Sequence, residues 1–175
     1  MTVTNAAPTA AVVTVTGRTE AQPVQLLATI TDPGLLDTHR FSWIVRDAAN
    51  VVLLNQPLPT SNVLTFIPPK DGLFRYEVVA TDNGGATSRR TGTFTIDNAP
   101  PALRTYTLRD GTGVEGQPLS FTVDAVDVDA LTYLWRATLG TVEVARGTAA
   151  SFSFTPADQG DYRITLDVTD NVGAR

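Results

Sequence analysis

The same short segments occur twice in this chain of 175 residues, and they occur in the same order. The matched pairs are Glu20–Val24 with Glu115–Leu119, Phe41–Trp43 with Tyr133–Trp135, Phe66–Pro68 with Phe154–Pro156, and Thr81–Asn83 with Thr169–Asn171. The offset between the copies falls from 95 residues at Glu20 to 88 residues at Thr81. Such a repeat predicts two domains built on one plan, with shorter loops in the second.

Apolar and polar residues alternate along short runs rich in Val, Thr, Ile, Phe and Tyr. In the run Asp161–Asp170 the residues that share one face are Tyr162, Ile164, Leu166 and Val168. A period of two predicts strands with one buried face and one solvated face, and the Gly, Pro, Asp and Asn residues between the runs predict turns. The predicted fold class is all-β, as two tandem immunoglobulin-like β-sandwiches.

Three aromatic residues are predicted to anchor the cores of these sandwiches. Trp43 and Trp135 each lie in the third predicted strand of their copy, where a sandwich buries a Trp between its two sheets. Asp158–Tyr162 has the pattern of a tyrosine corner at the start of the sixth strand, so Tyr162 is the third anchor. The first copy has Phe74 in that position and therefore lacks the corner hydroxyl.

The two ends of the chain are predicted to be out of phase with the repeats. Thr2–Pro8 is similar to Thr93–Pro100, the end of a last strand and its linker, whereas only Val172–Arg175 follow the final Thr-Asp-Asn turn. The predicted divisions are residues 1–5 as the stub of a preceding repeat, 6–97 as domain 1, and 98–175 as domain 2. Domain 2 is expected to lack most of its last strand, which leaves an unpaired edge.

Three segments together resemble the PKD repeats of large bacterial surface and secreted proteins. They are Ala28–Asp47, Phe66–Ser88 and Asn98–Pro101, and the Thr-Asp-Asn turns of both copies belong to the same pattern. The family commonly follows its Trp with an acidic, glycine-rich stretch. Here Ile44–Asp47 and Arg136–Thr138 follow instead, which marks both copies as divergent members.

The resemblance implies a non-catalytic extracellular or cell-surface module that serves as a spacer or adhesion segment of a larger protein. The alternative that it leaves open is a carbohydrate- or protein-binding accessory module of a secreted hydrolase. The implied partners are neighbouring repeats of the parent chain, another protein, or a polysaccharide.

Composition excludes several other classes of protein. A net charge of −5 argues against nucleic acid as a partner, because phosphates require a basic surface. No apolar run approaches the ~20 residues of a membrane helix. The first residues do not have the pattern of a signal peptide, so a secretion signal is expected outside this sequence. The absence of Cys excludes disulfides and thiolate metal sites.

The chain is not expected to be an enzyme. His39 is its only His, and alternation places Ser42 on the opposite face from Phe41 and Trp43, so no nucleophile and base are paired. The sequence favours a His at the end of a loop that steadies a turn beside Asp37 and Thr38.

Calcium is the one cofactor that the sequence suggests. The candidate ligands are Asp97, Asn98, Asp127, Asp129 and Asp170, which the predicted topology gathers where the linker meets the second domain. Calcium takes six to eight oxygen ligands at roughly 2.3–2.6 Å. The first copy offers Asp32, Asp37 and Asp82 with Asn5. The alternative is that these Asp and Asn residues are ordinary turn residues that bond their own backbone.

Overall fold

A computed structural model describes residues 1–107 and 112–175, with the side chains of all of these except residues 10–12 and 58–60. The chain divides into two compact units, Met1–Asn98 and Ala99–Arg175. In the part of the chain that the structure describes, no helix has the length and apolar character needed to cross a membrane.

The first unit is a sandwich of two antiparallel sheets. Its strands are β1 (Thr9–Thr16), β2 (Val24–Thr31), β3 (His39–Arg46), β4 (Val52–Thr60), β5 (Val63–Phe66), β6 (Gly72–Asp82) and β7 (Thr87–Ile96). One sheet has the order β1-β2-β5, and the other has the order β4-β3-β6-β7. Strand β6 is central, because it pairs with β3 on one side and with β7 on the other.

The second unit repeats this plan with one strand fewer among its described residues. Its strands are β8 (Ala102–Thr107), β9 (Leu119–Val126), β10 (Thr132–Leu139), β11 (Val142–Gly147), β12 (Ser151–Phe154) and β13 (Tyr162–Thr169). The sheets have the orders β8-β9-β12 and β11-β10-β13, which match β1-β2-β5 and β4-β3-β6 strand for strand. The prediction of an all-β fold of sandwich type is confirmed, and the second unit has no described counterpart of β7.

Alternation along β3 builds the core of the first unit. Phe41, Trp43 and Val45 point inward and are buried, whereas Ser42 and Ile44 between them are less so. The Trp43 side chain is completely buried, and its Nε1 donates a hydrogen bond to the carbonyl oxygen of Ser61 at 3.2 Å. Because that bond satisfies the indole N–H, the ring can be buried without leaving a polar group unpaired.

The core of the second unit has the same arrangement. Trp135 is 1% exposed, its Nε1 donates to the carbonyl oxygen of Ala149 at 2.9 Å, and its ring stacks on Phe152. The hydroxyl of Tyr162 donates to the carbonyl oxygen of Asp158 at 2.8 Å, which is the geometry of a tyrosine corner. The side chain of Tyr162 is half-buried against this core.

Candidate functional site

Three carboxylates of the first unit meet at one end of its sandwich. Asp32 follows β2, Asp37 precedes β3, and Asp82 ends β6. The pairing of His39 with Asp82 at the ends of β3 and β6 brings these segments together. Each carboxylate supplies an oxygen atom, and these atoms all lie within 4.8 Å of one another. The sequence predicted this grouping for the first copy.

Asp32 is held by two hydrogen bonds of different kinds. Its Oδ1 accepts from the backbone N–H of Gly34 at 2.9 Å, which closes a tight turn. Its Oδ2 lies 2.8 Å from Nε2 of His39, whose side chain is 17% exposed. The hydrogen bond from His39, followed by that from Gly34, holds the pKa of Asp32 below its ordinary value of 3.8. The sequence predicted that His39 would steady a turn, but it did not identify Asp32 as the partner.

Asp82 holds the segment that precedes β1 against the end of β6 through a hydrogen bond. The residue is 4% exposed, and its Oδ1 accepts from the backbone N–H of Ala86 at 2.8 Å. Its Oδ2 accepts from the side-chain amide of Asn5 at 2.9 Å. Gly84 lies against that amide, and a side chain there would collide with it. Residues before β1 are therefore tied to a strand that is paired on both of its edges.

The second unit contains turns of the same kind at two of the predicted calcium ligands. Asp127 Oδ1 accepts from the backbone N–H of Asp129 at 3.0 Å. The second turn is closed by Asp170 Oδ1, which accepts from three backbone N–H groups at 2.6–2.9 Å, those of Val172, Gly173 and Ala174. These contacts are the backbone-bonding role that short acidic side chains play in turns.

The remaining oxygens and the other predicted ligands have different surroundings. The Oδ2 atoms of Asp127 and Asp129 are buried without a hydrogen-bond partner among the described residues. Asp97 and Asn98 are the last residues of the first unit. The backbone N–H of Asp97 donates to the carbonyl oxygen of Arg18 at 2.5 Å, and its carbonyl oxygen accepts from Glu20 at 3.1 Å.

We predict that Asp32→Asn reduces the acid sensitivity of the first unit. Because the pKa of Asp32 is lower in the folded state than in the unfolded chain, its stabilisation is complete above about pH 4 and is lost as the pH falls through the folded value. Thermal unfolding should show a smaller loss of stability on acidification in Asp32→Asn than in the wild type, and a lower stability at neutral pH.

The matched control for that experiment is Asp124→Asn, an exposed carboxylate of the second unit. It should leave the unfolding of the first unit unchanged at every pH. Parallel pH profiles for the wild type and Asp32→Asn would contradict the assignment.

Comparison with known proteins gives three findings. Residues 104–175 match the sequence profile of the PKD domain. No curated protein is matched. Among solved structures, carbohydrate-binding modules of the β-sandwich superfamily align with 94% of this chain and 85% of their own length, at 14% identity and a TM-score of 0.42.

Two further solved structures align with a similar share of this chain and at similar sequence identity. The fibronectin(III)-like modules of Clostridium thermocellum CbhA cover 93% of this chain and 88% of their own length, with 14% identity and a TM-score of 0.33. The three N-terminal domains of the outer capsid protein Hoc of bacteriophage RB49 cover 93% of this chain and 56% of their own length, with 15% identity and a TM-score of 0.33. The resemblance predicted from the sequence is therefore confirmed for residues 104–175, which match the PKD domain family.

Proposed function

We propose that the chain is a non-catalytic spacer or adhesion segment of a larger extracellular protein. The observation that carries this proposal is the hydrogen bond from the exposed Asn5 to the buried carboxylate of Asp82. In a segment that bears tension, load enters through the residues that precede the first strand. Here those residues are fastened to β6, the central strand of a sheet, so the load passes directly into the hydrogen-bonded ladders on both sides of β6.

The chemistry of the cluster also supports a structural role. His39 is engaged by Asp32, and Asp82 by a backbone amide and a side-chain amide. Hydrogen bonds of this kind hold loops in one conformation, whereas nucleophilic catalysis requires a base placed beside a nucleophile. The match of residues 104–175 to the PKD domain supports the same class of function.

The test is mechanical unfolding of the whole chain held at its two ends. We expect two separate unfolding events, one for each unit. Asn5→Ala should lower the force of the first unit's event, because the load then bypasses β6, and should leave the other event unchanged. Thr2→Ala is the control, since this exposed residue lies in the same segment. A single cooperative event, or equal forces in Asn5→Ala and the wild type, would contradict the proposal.

Calcium binding in the second unit is a separate proposal, with Asp127 and Asp129 as the ligands. It is supported by the buried carboxylate oxygens of these residues that have no described hydrogen-bond partner, because such oxygens are stabilised by a cation. Calcium at millimolar concentration should raise the melting temperature of the second unit by mass action. Asp127→Asn combined with Asp129→Asn should abolish the rise, whereas Asp124→Asn should preserve it. A melting temperature that does not respond to calcium would leave these residues with their turn role alone.

The alternative function, a carbohydrate- or protein-binding accessory module, is favoured by one surface feature. Leu103 and Tyr106 on β8 are 53% and 60% exposed, and exposed apolar side chains of this kind occur at binding surfaces. Electrophoresis of the chain in gels that contain soluble polysaccharides separates the two functions. Retardation that Tyr106→Ala abolishes would favour the accessory module over the spacer.

A further inference from the structure

The four-stranded sheet of the first unit carries a groove on the face that points away from the core. Along β3, β6 and β7 every second residue lies on this face, because the residues between them, among them Trp43, Phe74 and Phe94, point into the core. The groove has a volume of about 410 Å³. Its lining includes Ile44, Arg46, Arg75, Glu77, Arg89 and Thr91.

Two arginines face each other across neighbouring strands in this groove. In the antiparallel register Arg46 of β3 lies directly opposite Arg75 of β6, which in turn lies opposite Thr93 of β7. The Cβ atoms of such a pair are about 4.5–5.5 Å apart, and like charges at this separation destabilise a sheet. The needs of folding therefore do not explain the pair. An anion bound between the two guanidinium groups would relieve their repulsion.

The two guanidinium groups donate to backbone oxygens of the turn between β3 and β4. Arg46 Nη1 donates to the carbonyl oxygen of Asn50 at 3.3 Å. Arg75 Nη1 donates to the carbonyl oxygens of Ala48 at 2.9 Å and Asp47 at 3.4 Å. Within the part of the chain that the structure describes, neither group forms an ion pair with a carboxylate. Each guanidinium has several N–H donors, so most of them are left for a ligand.

Glu77 and Arg89 add an ion pair to the floor of the groove. Nη2 of Arg89 donates to Oε2 of Glu77 at 2.6 Å, and Glu77 lies opposite Thr91 in the ladder. The lining thus has three guanidinium groups and one carboxylate, a net charge of +2 on a chain whose net charge is −5. Such a local excess of positive charge attracts anions. Because Glu77 uses Oε2 for the ion pair, its Oε1 can accept a hydrogen bond from a ligand.

This mixture of groups indicates a ligand that carries both carboxylates and hydroxyl groups. Guanidinium groups match the shape of a carboxylate and form charge-assisted hydrogen bonds with it. Glu77 requires the opposite, a hydrogen-bond donor, since a second anion beside it would be repelled. An ion with acceptor oxygens alone, such as sulfate, satisfies only the arginines. A uronic acid satisfies both, because each sugar ring bears one carboxylate among several hydroxyl groups.

The surroundings of the groove favour a polysaccharide over a protein. β6 is paired along both of its edges, so a peptide laid across this face finds no main-chain group of β6 to bond. The aromatic ring in the lining, that of Tyr76, is half-buried and packs against Phe94. Protein partners bind through aromatic anchors set in well-packed pockets, and the described lining presents no exposed aromatic side chain for that purpose.

We propose that this groove binds a polysaccharide that contains uronic acids. One sugar carboxylate lies between Arg46 and Arg75 and accepts hydrogen bonds from both. Hydroxyl groups of the same ring or the next one donate to Glu77 and bond to the hydroxyl of Thr91. The proposal rests on the proposed function, because it names the class of ligand that an adhesion segment would hold.

The probe for this site is an oligosaccharide of galacturonic acid, titrated into the whole chain by isothermal calorimetry. We expect saturable binding at one site. The methyl ester of the same oligosaccharide keeps the sugar hydroxyl groups but has lost the charge. It should bind at least about tenfold more weakly, since the charge-assisted hydrogen bonds become neutral ones. Equal binding of the two oligosaccharides would overturn the proposal.

Neutral variants of the two arginines test the location. Arg46→Gln and Arg75→Gln should each weaken binding by about tenfold, because each removes one guanidinium group from the sugar carboxylate. Arg90→Gln is the matched control. This exposed residue of β7 loses the same charge, but alternation places it on the opposite side of the strand from Arg89. Equal weakening by all three variants would show non-specific attraction to positive charge and overturn the proposal.

Thermal unfolding separates a binding role of the arginine pair from a structural one. Because the pair is repulsive, Arg46→Gln should keep or raise the melting temperature of the first unit while it weakens sugar binding. A lower melting temperature with unchanged sugar binding would assign Arg46 to the fold and overturn the proposal.

Two other results would assign the binding elsewhere and overturn the proposal. Equal affinity for the oligosaccharide and for a polyglutamate peptide would assign the groove to an acidic protein segment. Sugar binding that Tyr106→Ala abolishes, and that the arginine variants leave unchanged, would place the sugar on the second unit. None of these readouts depends on mechanical load, so their failure is distinguishable from failure of the spacer function.

Discussion

Each unit depends on one indole ring that is buried between its two sheets. Trp43 and Trp135 fill this position, and each donates its Nε1–H to a backbone carbonyl oxygen, that of Ser61 or Ala149. An indole N–H left unpaired at such a site would cost about 1–3 kcal/mol, so the ring also fixes the conformation of the segment before β5 or β12. The spacing of the sheets and the inward faces of their strands follow from the size of this ring.

The two units share one order of strands but present different surfaces. In both, Asp residues at the ends of the second and sixth strands close turns by accepting backbone hydrogen bonds. In the first unit β7 completes the sheet and covers the core. In the second unit β13 is the last described strand, so the ring that anchors the core also lines an open cleft. The described residues thus complete a four-stranded sheet in the first unit and leave one edge of β13 without a partner strand among them in the second.

Much of the fold was predictable, because alternation and repeated motifs are local signals. The period of two identified the strands, and the matched positions of Trp43 and Trp135 identified one plan repeated in both units. The partner of His39 was not predictable, since it depends on how the turn at Asp32–Gly34 folds back toward β3. That the described residues of the second unit contain no counterpart of β7 was predictable from the four residues that follow Asn171. The cleft was not, because its lining comes from β8, β10 and β13, which are distant in sequence.

β6 and β13 are equivalent strands, and among the described residues β6 is paired on two edges whereas β13 is paired on one. Hydrogen exchange of individual backbone amides, measured by NMR under native conditions, tests this difference directly. Along β6 we expect protection at every position, because successive N–H groups donate to β3 and to β7 in turn. Along β13 we expect protected amides, which donate to β10, to alternate with amides that exchange rapidly. Uniform protection along β13, equal to that of β6, would contradict this difference in strand pairing.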